Sequence, residues 1–191
     1  MWSGLTDTES ESTAEAADVS GPDLEPAGGP PAFIDQPWVR STIPGTSVSF
    51  EFPGSNSTDQ RPGSDGLGAT SAIRAGSDDS NRAGGSIECN ATEASKAAPA
   101  FDANSASGQI RLTDVAMSNG AGQRTFAEPV TTAVGNGTRF GGTDAQGSAA
   151  VRGVVVGSGA TAIWCVVTLP AAQVSLADLT LQRIISTLGP A

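Results

Sequence analysis

The chain is predicted to fold as an α+β domain, an antiparallel sheet of about five to seven strands packed against a middle helix and a C-terminal helix, behind a disordered N-terminal tail. Three observations carry this. Val48, Phe50 and Phe52 alternate through SVSFEFPG (47–54), the period of a strand with one buried face. Two β-branched runs, Val151–Val156 and Thr161–Leu169, flank the short Gly157-Ser-Gly159 segment, so they pair antiparallel. Leu181, Ile184, Ile185 and Leu188 then form one helical stripe near the end of the chain.

The tail is assigned to residues 1–37 and the single α+β domain to 38–191. The first 36 residues hold eight acidic side chains (Asp7, Glu9, Glu11, Glu15, Asp18, Asp23, Glu25 and Asp35) and no basic one. Of the net charge of −10, this leaves only −2 for the remainder. The domain therefore lacks the phosphate-neutralising patch that nucleic-acid binding requires, and a nucleic-acid partner is rejected. The tail has few large apolar groups (Trp2, Leu5, Val19, Leu24), too few to offset the entropy of ordering it. It reads as a solubilising spacer, with an acidic interaction tail as the alternative.

Along the domain, Pro53-Gly54 ends the first strand and 55–66 is loop by composition. Strands follow over 67–74 and 85–92, separated by the turn cluster 76–81. A middle helix is placed over 101–119, although Ile110, Val115 and Met117 are only loosely helical in spacing and Gly108 costs a helix interior about 1 kcal/mol. Asn136-Gly137, between 131–134 and 138–140, is the dipeptide of a type I′ hairpin turn. The continuously apolar run 161–169 belongs in mid-sheet. In the last helix Ser175 is the expected N-cap and Asp178 its capping-box partner, with Gly189-Pro190 as the stop.

The arrangement of Trp38, a strand ending in Phe-Pro-Gly, a polar middle, an apolar hairpin and a final RIISTLGP helix resembles the actinobacterial cell-envelope lipoproteins and secreted proteins with the PsbP-like fold. The resemblance spans residues 38–190 and implies an extracytoplasmic binding or accessory role. It carries over no catalytic residue. This chain departs from that family in showing neither a signal sequence nor a lipidation cysteine. No stretch has the apolar length of a transmembrane helix, and the acidic leader is expected to lie downstream of an anchor in a longer precursor.

The chain contains no His and no Tyr, which removes Ser-His-Asp and Cys-His arrangements, His-based metal sites and the usual base at neutral pH. Its lone lysine, Lys96, reads as a surface residue. Gly157-Ser-Gly-Ala-Thr-Ala162 matches a dinucleotide-binding pattern but opens no helix, so it reads as a hairpin turn. Asp79, Asn81 and Gly84 fit part of a calcium loop, but Ala83 and Asn90 fall where ligands belong, so it reads as a polar turn. No catalytic, cofactor-binding or metal residue is assigned, and no cofactor is expected.

Cys89 and Cys165 are the one constellation with structural content. Ile87 and Cys89 share a strand face, as do Ile163, Cys165 and Val167, so both sulfurs point into one apolar layer. In an oxidising compartment they form a disulfide closing a loop of about 77 residues, worth up to ~4 kcal/mol. In a reducing one they are two buried thiols. The expected function is a monomeric, non-enzymatic extracytoplasmic binding or accessory protein with a protein or envelope-lipid ligand. A carboxylate-dependent hydrolase and a structural envelope spacer are the alternatives.

Overall fold

The computed structural model describes residues 31–63, 67–76, 84–93, 99–118 and 122–191. In chain order these form β1 (Trp38–Thr42), β2 (Val48–Pro53), β3 (Ser57–Arg61), β4 (Thr70–Gly76), β5 (Ser86–Glu93), α1 (Ala106–Ser118), β6 (Gln123–Thr132), β7 (Gly135–Thr143), β8 (Ala149–Ser158), β9 (Thr161–Pro170), α2 (Val174–Thr187) and β10 (Gly189–Pro190). The strands make two sheets where one was expected: β1-β2-β10, and a seven-stranded sheet ordered β3-β4-β5-β9-β8-β7-β6. Neighbours in both pair antiparallel. The apolar run of β9 does lie mid-sheet, as its composition required.

The large sheet is covered on both faces. One face packs against α2 and the small sheet through Phe50, Phe52, Ile163, Val167, Leu181 and Ile184. The other packs against α1 through Leu112, Met117, Phe140, Val155 and Trp164. Alternation in β8 serves both, since Val154 and Val156 belong to the first cluster while Val151 and Val155 belong to the second.

Several expectations need correction. Of the tail, residues 1–30 lie outside the described residues, while 31–37 pack on the domain: Phe33 is in the α2-side core and Trp38 Nε1 donates to the Ile34 carbonyl (3.1 Å). Those residues look tail-like because their apolar groups are separated by Pro, Asp and Gln. The 55–66 loop contains β3, a strand without an apolar pattern. Charge pairs stand in for one: Arg61 pairs with Asp59 of its own strand (3.3 Å) and with Glu88 of β5 (3.2 Å), and Arg74 of the neighbouring β4 lies 3.9 Å from Asp59. Of the calcium-like turn, Asp79, Asn81 and Ala83 lie outside the described residues, as does Lys96, while Asn90 sits within β5.

The β6-β7 hairpin exists, but its turn is Ala133-Val134, with Thr132 opposite Gly135. Asn136 and Gly137 sit inside β7. Thr132 closes the turn with its side chain, accepting from the Val134 N–H (3.3 Å) and donating to the Gly135 carbonyl (2.8 Å). At the β8-β9 turn Gly159 has φ of 57°, the left-handed conformation glycine adopts freely.

Helix α1 starts later than expected, after Ser105, whose Oγ accepts from the Gly108 N–H (3.1 Å) as an N-cap. Gly108 is required there, since a Cβ would stand 2.0 Å from the Asp102 carbonyl oxygen. The buried stripe of α1 is Gln109, Leu112, Thr113, Ala116 and Met117, at regular helical spacing. Helix α2 starts at Val174, so Ser175 lies inside its first turn and no side chain bonds to the capped N–H groups. A 3-10 turn, Ala171–Gln173, leads into the helix instead. Past Thr187 the chain extends, and Gly189-Pro190 pairs with Ser49 and Val48.

Candidate functional site

Cys89 and Cys165 stand directly opposite each other in the β5-β9 ladder, with Cα atoms 4.0 Å apart, and are joined as a disulfide. Ile87 opposes Val167 and Ala91 opposes Ile163 on the same face. The shared apolar layer expected from the sequence is therefore present, and it is the α2-side core. Both cysteines are fully buried.

A polar cluster lies at the margin of that core. Arg139 on β7 and Arg152 on β8 both donate to Oδ1 of Asp178 on α2, at 2.7 and 3.0 Å. Both guanidinium groups stand over the Phe126 ring of β6, 5.7 and 5.6 Å from its centroid. The Phe126 ring lies across Gly141, where a Cβ would meet it at 2.4 Å. Arg152 is only 13% exposed and also donates to the carbonyls of Gly142 and Val151. Glu128 sits opposite Arg139 in the β6-β7 register, on the same face, so the group of charges is locally balanced.

This cluster pins α2 to the sheet. Its signal in the sequence is Arg152 itself, a charge in the middle of AAVRGVVV, where burial demands a counter-ion. Asp178 was expected to cap its own helix, and it serves that counter-ion role instead. The C-terminal half of α2 is tied to the small sheet: Arg183 pairs with Glu51 (2.7 Å) and lies 4.5 Å from the Trp38 ring centroid, and Arg40 donates to the Thr187 carbonyl (3.3 Å).

Several other polar groups among the described residues are used locally. Gln109, buried under α1, donates to the carbonyls of Ala103 and Asn136 and accepts from the Thr138 hydroxyl. Arg74 and Glu88, opposite each other in β4 and β5, form an ion pair at 3.0 Å that is poorly angled for a hydrogen bond. Asp144, in the β7-β8 turn, accepts from the Ser148 hydroxyl and the Ala149 N–H, and these bonds hold its carboxyl below the ordinary range. That direction is opposite to the raised value an acid catalyst needs. A shallow open groove along α1 is lined by Ala106, Ser107, Ile110, Arg111 and Asp114. Among the described residues, no group of three or more Asp, Glu, Cys or His side chains converges as metal ligands, and no helix is long and apolar enough to cross a membrane.

Neither a known protein family nor a curated protein matches the sequence. Solved structures do match. The fold is similar to that of cyanobacterial PsbP. The solution structure of CyanoP from Synechocystis sp. PCC 6803 superposes with a TM-score of 0.54 at 13% identity, covering 88% of this chain and 99% of that one. A Pseudomonas aeruginosa protein of unknown function, described as a putative regulator, covers 81% of this chain and 97% of its own at 9% identity, but its TM-score of 0.36 carries no argument. The PsbP-like part of the sequence reading thus stands as a fold. The likeness does not extend to an actinobacterial lipoprotein family, and no residue role crosses over at this identity.

Proposed function

We propose that the domain is a non-enzymatic binding or accessory module that works outside the cytoplasm. The observation that carries this reading is how its reactive groups are spent. The two cysteines are locked in a buried disulfide, and the charged side chains around Asp178 bind each other and tie α2 to the sheet rather than converging on a cavity. A disulfide at the centre of a sheet fits an oxidising compartment. The PsbP-like fold and a sequence without His or Tyr favour an accessory role over catalysis. The ligand in this reading is a protein or an envelope lipid.

The test is the intact mass of the protein purified natively from its producing cells, with and without reduction and alkylation. A mass two hydrogens light, with Cys89 and Cys165 alkylated only after reduction, supports the extracytoplasmic reading. Two free thiols would overturn it and point to a cytoplasmic interaction module. A turnover that survives purification and is lost on changing one carboxylate would overturn the non-enzymatic part.

A further inference from the structure

The disulfide and the polar ties of α2 belong to one arrangement. Both cysteines have no exposed surface, and the face that bears them is roofed by α2 and β2 through Leu181, Ile184, Phe50 and Phe52. Thiol–disulfide exchange requires a thiolate to approach one of the sulfurs, so a fully covered disulfide reacts only from an opened state. Two openings can supply that state, unfolding of the whole domain or lifting of the roof alone. The roof has separate fastenings at its two ends. Near the N-terminus of α2, Asp178 holds Arg139 and Arg152 of the large sheet; toward the C-terminus, Arg183 and Thr187 hold the small sheet. Among the described residues, only the Asp178 clamp joins α2 by charge to the sheet that carries the cysteines.

We infer that α2 is a lid over the Cys89–Cys165 disulfide, that reductants reach the bond when α2 lifts from the folded sheet, and that the Asp178 clamp sets how often it lifts. In the reaction a dithiol supplies two electrons and two protons. One thiolate attacks a cysteine sulfur and displaces the other, and the second thiol of the reagent closes to a cyclic disulfide, leaving Cys89 and Cys165 as thiols. Besides the bond, β5 and β9 are joined by an eight-residue antiparallel register.

The experiment is reduction of the full chain by dithiothreitol under native conditions, followed by alkylation and mass measurement, in the wild type, Asp178→Asn and Ser105→Ala. The global stability of each is measured by urea unfolding. Ser105 caps α1 on the opposite face, so its loss weakens the domain without touching the lid. Asp178→Asn is expected to speed reduction about tenfold, in step with its global stability loss, because the neutral amide loses the ionic attraction to both arginines and the clamp is broken in either opening. Ser105→Ala is expected to leave the rate unchanged although it lowers global stability, because the α1 cap stays intact when only α2 lifts. Should Asp178→Asn fail to fold, Arg139→Gln removes one of the two bonds and is expected to give a smaller acceleration of the same kind. Rates that track global stability in every variant would overturn the lid, since reduction would then run through complete unfolding. Wild-type reduction as fast as that of an exposed disulfide would overturn it as well.

Discussion

The two helices cover opposite faces of one sheet, yet they are held by different means. The α2 side buries twenty side chains among the described residues, including Phe50, Phe52, Leu181 and Ile184, whereas the α1 side buries nine, several of them alanine. In α1 the stripe against the sheet includes Gln109 and Thr113, and the Gln109 bonds to Ala103, Asn136 and Thr138 do part of what packing does under α2. Two ion-pair clusters also tie α2 to both sheets, while α1 has a surface pair, Asp114 with Arg124 at 3.1 Å. The contrast teaches that a stripe rich in large apolar residues and one that is partly polar can seat helices on the same sheet, with different penalties when each is cut.

The sharpest way to break this comparison is to truncate one core residue on each side. Leu181→Ala should cost about 3–5 kcal/mol and Leu112→Ala about 2–3 kcal/mol, because the small neighbours of Leu112 leave less apolar surface to lose. Urea unfolding of both variants measures this, and an equal or larger loss for Leu112→Ala would remove the asymmetry. The joint change Cys89→Ala and Cys165→Ala should lower stability by about 2–4 kcal/mol, read the same way, since it frees a loop whose ends are 76 residues apart. No loss would mean that the β5-β9 ladder alone holds this side.

Smaller effects sharpen the contrast at the polar contacts. Asp178→Asn should cost about 1–2 kcal/mol, reduced by its partial exposure, whereas Asp114→Asn should cost less than about 0.5 kcal/mol. Ser105→Ala should cost about 1 kcal/mol through the lost cap, visible as faster amide exchange in the first turn of α1. The smallest expected effect depends on pH. The folded carboxyl of Asp144 is held low, chiefly by the Ser148 hydroxyl, so its contribution is present above the unfolded value of about 3.9 and is lost as pH falls through the lower folded value. A Ser148→Ala variant should therefore lose less stability than the wild type on acidification below about pH 4, and identical acid profiles would count against that bond.

Where one apolar period dominates, local sequence predicted the structure well. The alternation in β2, the β8-β9 hairpin, the common face of Cys89 and Cys165 and the stripe of α2 all follow from it. Where polar side chains decide, the pattern was silent or misleading. Asn136-Gly137 is a strong turn dipeptide, yet Thr132 closes the chain four residues earlier. Gly108 counts against a helix on propensity, yet the approach of Asp102 excludes any other residue there. Asp178 fits a capping box, yet Arg152, buried from another strand, claims its carboxylate.

By itself the sequence determined an antiparallel α+β domain with a buried cysteine pair and a closing amphipathic helix, because burial of large apolar side chains imposes a period that can be read along the chain. Only the tertiary structure decided that β1, β2 and β10 form a second sheet, that charged β3 becomes an edge strand and that 31–37 joins the core. It also decided that arginines from two strands share one helix carboxylate. Those outcomes depend on groups far apart in sequence satisfying each other's charge and hydrogen bonds, and pairings of that kind leave no period in the chain.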